Sequence, residues 1–260
     1  KGGQEPIACS TLRAIWLLVH ASFPEQNIGR GMKITICSLP EIRRISVTAV
    51  ILIGIALGTI SGCADQKRQA EALVRAALEH SEANRPAEAI QCLDRAIALN
   101  PGLVEAFYLR GICNGKLQRT RNAAEDLSAT TRLKPGWDEA WCALGIAQMT
   151  AGDTNSGIAS ITKALQLNAT MQPAWEARAR GHRELGHTTE ELLDLNELLE
   201  LDSSHVDALL RRGILLSETD PAAATGDLSK VISLHRDNAT AWMYRGLCYS
   251  RLGDTDRALA

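Results

Sequence analysis

Residues 138–171 read DEAWCALGIAQMTAGDTNSGIASITKALQLNATM. Trp141 is followed four residues later by Gly145 and sixteen later by Gly157, with Gly152-Asp153 between them. A bulky ring and two residues without side chains, on either side of a helix stop, describe two helices that come into close contact. The spacing recurs along the chain. Leu73, Phe107, Trp141, Trp175 and Leu209 follow one another at 34 residues, and Trp242 comes 33 later. Four residues after each stands a small one: Ala77, Gly111, Gly145, Ala179, Gly213 and Gly246. Further on in each unit lie Ala89, Ala123, Gly157, Glu191, Ala224 and Ala258, of which only Glu191 departs from smallness.

A fixed period of this length is the signature of a stacked array. Each unit reads as an antiparallel helix pair. The large residue on the first helix, A, fills the space between layers, and the small residues let A and B approach. Leu93, Leu127, Ile161, Leu195 and Leu228 complete the apolar face of helix B. Gly152-Asp153, Gly186-His187 and Gly253-Asp254 suit the turns from A to B. Pro101 and Pro135 break the chain after the first two units. Glu191 is expected to loosen its helix pair or to turn its carboxylate to water. The fifth unit lacks one residue near Thr219-Asp220-Pro221, where a turn can absorb the loss.

This pattern resembles the tetratricopeptide repeat. The resemblance covers residues 70–260 and implies an all-α fold, a right-handed α-α superhelix of antiparallel helix pairs. The repeats fall at 70–103, 104–137, 138–171, 172–205 and 206–238, with a partial sixth at 239–260. Departures are local: Ala169, Ser203 and Arg236 replace the terminal proline, and Thr130, Leu198 and Val231 replace a small residue late in helix B. Each repeat of such a solenoid buries its face only against its neighbours, so the ends need caps. The sixth repeat has no complete helix B. The chain is therefore expected to continue past Ala260, or else its last helix A is covered by a partner or frayed.

In arrays of this family the concave groove is lined mainly by helix A. Carried over position by position, that surface is Val74, Tyr108, Cys142, Glu176, Leu210 and Met243, with Leu78, Ile112, Ile146, Arg180, Ile214 and Leu247 one turn further. It is apolar nearly throughout, with a polar centre at Glu176, Arg180, Arg183 and Glu184. An exposed apolar stripe marks an interaction site. The expected partners are other proteins offering apolar or amphipathic segments; the alternative is that the second set is shielded by the next repeat and merely packs. Chaperone-binding members hold a C-terminal carboxylate with Lys, Asn and Arg. The matching positions here are Val74, Leu78, Leu109, Glu139 and Ala143, which cannot donate those bonds.

Ahead of the repeats, residues 49–68 read AVILIGIALGTISGCADQKR. From Met32, Lys33, Arg43 and Arg44 give a positive region, Ile45 to Ile60 is uncharged and apolar, and Ser61-Gly62 precede Cys63. That is the order of a secretory signal. Ile60-Ser61-Gly62-Cys63 resembles the lipobox of bacterial lipoproteins. The resemblance implies a signal peptide over 32–62, lipid attachment at Cys63 and a linker over 63–69. It also implies a membrane partner reached through the lipid anchor, in the bacterial cell envelope, facing the periplasm. Ala64 rather than Asp after the cysteine points to the outer membrane. An uncleaved anchor is the alternative, since Ile45 to Gly62 is near the lower limit for a span. Residues 1–31 are expected to precede the true start at Met32, with a genuine extension as the alternative.

The chain of 260 residues is 45% hydrophobic and 22% charged, an ordinary globular balance. A net charge of −2 without a basic stripe gives no reason to expect nucleic acid. Seven cysteines occur without a CxxC, so no zinc site is indicated. Cys92, Cys113, Cys142 and Cys248 read as small apolar fillers, although an oxidising periplasm would allow a pair among them to bridge. His182 and His187 are five apart and do not share a helix face as zinc ligands would. Asp202-Ser203-Ser204-His205 holds hydrolase residue types within an inter-repeat turn. No cofactor motif and no catalytic constellation is expected. Two functions remain: a membrane-anchored scaffold or adaptor, and the regulatory arm of a larger protein with a catalytic domain beyond Ala260.

Overall fold

The computed structural model describes residues 64–258. The first helix, α1, occupies residues 64–82. It is followed by α2 (Pro86–Leu99), α3 (Val104–Lys116), α4 (Thr120–Leu133), α5 (Asp138–Thr150), α6 (Thr154–Leu167) and α7 (Gln172–Glu184). Then come α8 (Thr188–Leu201), α9 (Val206–Thr219), α10 (Pro221–Leu234), α11 (Ala239–Arg251) and the single turn α12 (Thr255–Ala258). There is no strand among the described residues. Consecutive helices pack as antiparallel pairs, and the A helices α3, α5 and α7 also touch in sequence, as do α9 and α11. The result is the right-handed α-α superhelix expected from the repeat. Residues 64–69, expected as linker, are already helical and exposed.

The size alternation works at atomic contact. Leu93, Leu127, Ile161, Leu195 and Leu228 are all buried. A Cβ on Gly111 would sit 2.8 Å from Leu127 Cγ, and one on Gly213 would sit 2.9 Å from Leu228 Cγ. The approach is closest between α5 and α6, where a Cβ on Gly145 would lie 2.6 Å from the Gly157 carbonyl oxygen. There backbone meets backbone, and only glycine fits.

The turns follow the same logic. Gly152, Gly186 and Gly253 take φ of 92°, 73° and 78°. That left-handed conformation ends a helix and costs a glycine nothing. Asn84 and Gln118 hold the same turn position in the first two repeats, at φ 55° and 59°. The shortened fifth repeat drops this turn. Asp220 serves as C-cap of α9 and N-cap of α10, and its carboxylate accepts a hydrogen bond from the Ala223 amide at 3.0 Å. At two of the three junctions without the proline, an Asx turn shapes the loop. Asn168 Oδ1 accepts from the Thr170 amide at 3.1 Å, and Asp202 Oδ1 from the Ser204 amide at 2.9 Å.

The tryptophans do more than fill space. Trp141, Trp175 and Trp242 each donate the indole N–H to a carbonyl six residues earlier, on Pro135, Ala169 and Arg236, at 2.8 Å. Each ties the inter-repeat loop to the helix it precedes. The rings are only partly buried, Trp242 remaining 42% exposed, whereas Leu209 in the same register is fully packed.

Candidate functional site

On α7, residues 176, 180 and 183 share one face, and 175, 178 and 182 share the opposite one, as a helix of 3.6 residues per turn requires. The first face opens into a cleft of about 450 Å³ between the fourth and fifth repeats. Glu176, Arg180, Leu210 and Ile214, all expected in the groove, meet there. Arg183 joins them; Glu184 is held away, accepting a hydrogen bond from Thr154 Oγ1 at 3.2 Å. Leu195, Leu198 and Ala179 form the floor.

Glu191, His205, Asp207 and Arg211 also line this cleft and were not among the expected groove residues. Glu191, expected to loosen its pair or to turn its carboxylate to water, keeps the carboxylate inside. It is 2% exposed, and both oxygens accept from Arg211, Oε1 from Nε at 2.6 Å and Oε2 from Nη2 at 2.9 Å. A bidentate guanidinium from the next repeat satisfies the buried carboxylate. His205, the N-cap of α9, accepts from the Ala208 amide on Nδ1 at 3.3 Å, leaving Nε2 3.9 Å from Glu176 Oε2. With Asp202 engaged in its Asx turn, Asp202-Ser203-Ser204-His205 is loop architecture.

The remaining groove residues are spread along the array. Ile112 and Ile146 line a second recess of about 280 Å³ between the second and third repeats. Val74 and Tyr108 are half-buried, and the Tyr108 ring stacks on Trp137 at 4.5 Å. Burial pushes the Tyr108 phenol up, helped by Glu139. Leu78, Met243 and Leu247 are exposed, Met243 at 62%. Cys142 must be corrected: it is 5% exposed and belongs to the core. Burial pushes its thiol up to about 11. Cys113 and Cys248 are likewise buried, and all four cysteines of the described residues are free thiols. The expected lipid attachment at Cys63, and the signal before it, lie outside the described residues.

The opposite face carries a repeated device that the apolar pattern did not reveal. Arg110, Arg178 and Arg212 occupy one register of helix A. Each forks onto an aspartate of its own helix B, Asp126, Asp194 and Asp227, with both bonds between 2.6 and 3.0 Å. Each reaches back with Nη1 to the preceding helix B, to Asp94 at 2.6 Å, Thr162 at 3.1 Å and Asn196 at 2.8 Å. Arg245 contacts Ser229 at 3.4 Å in the same way. Aromatic rings three residues before lie under three of these guanidiniums: Phe107 at 5.6 Å, Trp175 at 4.8 Å and Trp242 at 4.3 Å. The signal was present in the sequence as arginine and aspartate on the same period. Among the described residues, no group of three or more acidic, His or Cys side chains is placed to hold a metal. No helix there is long and apolar enough to cross a membrane.

Comparison with known proteins agrees with this architecture. Family models described as tetratricopeptide repeat match residues 74–138, 214–260 and 138–171, together more than half of the chain. No curated protein sequence matches. Among solved structures, the chain is similar to PilF of Pseudomonas aeruginosa, with a TM-score of 0.63 at 13% identity, over 75% of this chain and 89% of that one. It is also similar to MamA from Desulfovibrio magneticus RS-1, with a TM-score of 0.60 at 14% identity, over 66% and 97%. YrrB, a TPR protein with an unusual peptide-binding site, matches with a TM-score of 0.57 at 19% identity, over 65% and 88%. At these identities the likeness is one of fold. On the strength of the repeat models, the chain belongs to the tetratricopeptide-repeat family.

Proposed function

We propose that this protein is a lipid-anchored scaffold of the bacterial envelope, held at the outer membrane through Cys63 and presenting its repeat groove to proteins of the periplasm. The anchor rests on the ordered basic, apolar and small-residue segments before Cys63. The scaffold rests on the cleft between the fourth and fifth repeats, where groove residues from two repeats converge on an apolar floor. That convergence is the observation that carries the reading. YrrB's peptide-binding site is a property of YrrB; it shows only that a fold of this kind supports one.

The test is crosslinked affinity capture from the native host with the full chain and with Ile146→Asp/Ile214→Asp. Both side chains are half-buried at the two recesses. The variant is expected to keep its helical circular dichroism and lose the partners that the parent captures. An unchanged set of partners from a folded variant would rule the groove out.

A further inference from the structure

The cleft between the fourth and fifth repeats is not uniformly apolar; its two rims differ in charge. α7 and α9 are both A helices and run the same way. Glu176 and Asp207 lie toward their N-terminal ends, and Arg180 and Arg183 toward the C-terminal end of α7. Arg211 is neutralised by Glu191. Neither Arg180 nor Arg183 is within salt-bridge reach of a carboxylate among the described residues. Glu176 has only the loose contact with His205. The cleft therefore has a basic rim, an acidic rim and, between them, Leu210 and Ile214.

From this polarity we infer that the cleft takes a peptide segment with an acidic and a basic side chain flanking aliphatic ones. The acidic side chain sits on Arg180 and Arg183, the aliphatic pair on Leu210 and Ile214, and the basic side chain on Glu176 and Asp207. Glu176 and Arg183 are separated by two helical turns, about 10 Å along the axis. A segment in the polyproline II conformation rises about 3.1 Å per residue and returns to the same face every third residue, so the ligand's two charges stand about three residues apart. A glutamate, two aliphatic residues and a lysine meet that spacing. Opposite charges at the rims fix register and suppress wrong partners more than they add affinity. This inference rests on the groove reading above and adds the chemistry of the occupant.

The experiment uses the full chain and short fluorescein-labelled peptides with an identical dileucine centre. One carries glutamate and lysine on either side, one glutamate alone, one lysine alone, and one glutamine at both places. Fluorescence anisotropy is expected to rank the doubly charged peptide first, about tenfold tighter than the glutamine peptide at low salt, with the gap closing as salt rises. Arg180→Glu/Arg183→Glu should lose that advantage and instead bind the lysine-only peptide better than the parent does. Equal binding of the charged and neutral peptides, with loss only on Ile214→Asp, overturns the inference and leaves the groove standing. No binding of any of the four also overturns the inference, while the capture experiment independently decides the groove.

Discussion

Arg211, on the first helix of the fifth repeat, closes a two-bond fork on Glu191, on the second helix of the fourth. The pair takes the place of the small residue that seats helix A on helix B in the other repeats. Its two members differ in what surrounds them. The Glu191 side chain is 3% exposed, whereas that of Arg211 is 30% exposed and keeps a route to water. A carboxylate enclosed in this way is tolerated only because the guanidinium reaches it from the neighbouring layer.

Removing the two partners should therefore not be equivalent. Arg211→Ala strands a buried carboxylate and is expected to cost about 3–5 kcal/mol. Glu191→Ala restores the small residue of the other repeats and lets Arg211 turn outward, at a cost of about 1 kcal/mol. The double variant should lie nearer to Glu191→Ala than to Arg211→Ala. Urea unfolding of the three variants reads this directly. Equal losses from the two single changes would mean that the fork holds no buried charge in place.

The helical glycines separate by what a methyl group would meet. At Gly145 it would meet the Gly157 carbonyl and the Ile161 side chain, of which only the second can give way. Gly145→Ala is expected to cost about 1–3 kcal/mol by forcing α5 and α6 apart. Gly115, in the last turn of α3, has nothing within 4 Å of that position. Gly115→Ala should raise stability by up to about 1 kcal/mol through helix propensity. Thermal melts of the two variants should move in opposite directions, and a shared direction would refute the close-contact account.

What could be read before the structure was whatever a single helix face decides. Leu93 and Ile161 are buried because each helix B presents one apolar stripe, and Gly152 turns left-handed because a helix has to end there. Both are local facts, and local facts leave a period in the sequence. The Arg178–Asp194 fork and the Arg211–Glu191 fork depend on how far one helix slides along another. Polarity alone does not report that register: the Arg178–Asp194 fork shows in the sequence only as arginine and aspartate on a shared period, and the Arg211–Glu191 fork has no periodic counterpart. In the groove, Glu176, Arg180, Leu210 and Ile214 do converge, because a shared repeat position places them on one side. Cys142 holds such a position and is nevertheless buried, since a small thiol packs where the Glu176 chain in the next repeat reaches out.

His182 is expected to make the array sensitive to acid. Its Nδ1 is buried without a hydrogen-bond partner, and its Nε2 lies 3.8 Å from Asp194 Oδ2. Burial is the main influence and lowers its affinity for a proton below the ordinary value of 6.5. Asp194 and Glu190 oppose this, while Arg178 and His187 reinforce it. The unfolded chain thus binds the proton more readily than the folded one. Stability from this site is intact above 6.5 and declines as pH falls through the folded value. Urea midpoints at neutral pH and near pH 5.5 should show a larger drop for the parent than for His182→Gln. A parent protein that gains on the variant in acid would reverse the sign and refute the assignment.

The proposed anchor yields the sharpest cellular prediction, because export and lipid retention would make two separable demands of one segment. Export requires the basic region at Lys33, Arg43 and Arg44 and the apolar stretch from Ile45. Retention on the membrane requires acyl chains, each buried CH₂ contributing about 0.8 kcal/mol, so that two or more chains hold stably where one does not. In the proposed lipoprotein only the Cys63 thiol can take the first of them. Cys63→Ser should leave export intact and release the protein from the membrane fraction, with loss of palmitate label from the chain. If the segment from Ile45 to Gly62 were instead an uncleaved anchor, the serine variant would stay in the membrane pellet at its full length. Fractionation with mass measurement of the amino terminus separates the two outcomes, and membrane retention of the serine variant would remove the lipid from the proposed function while leaving the groove untouched.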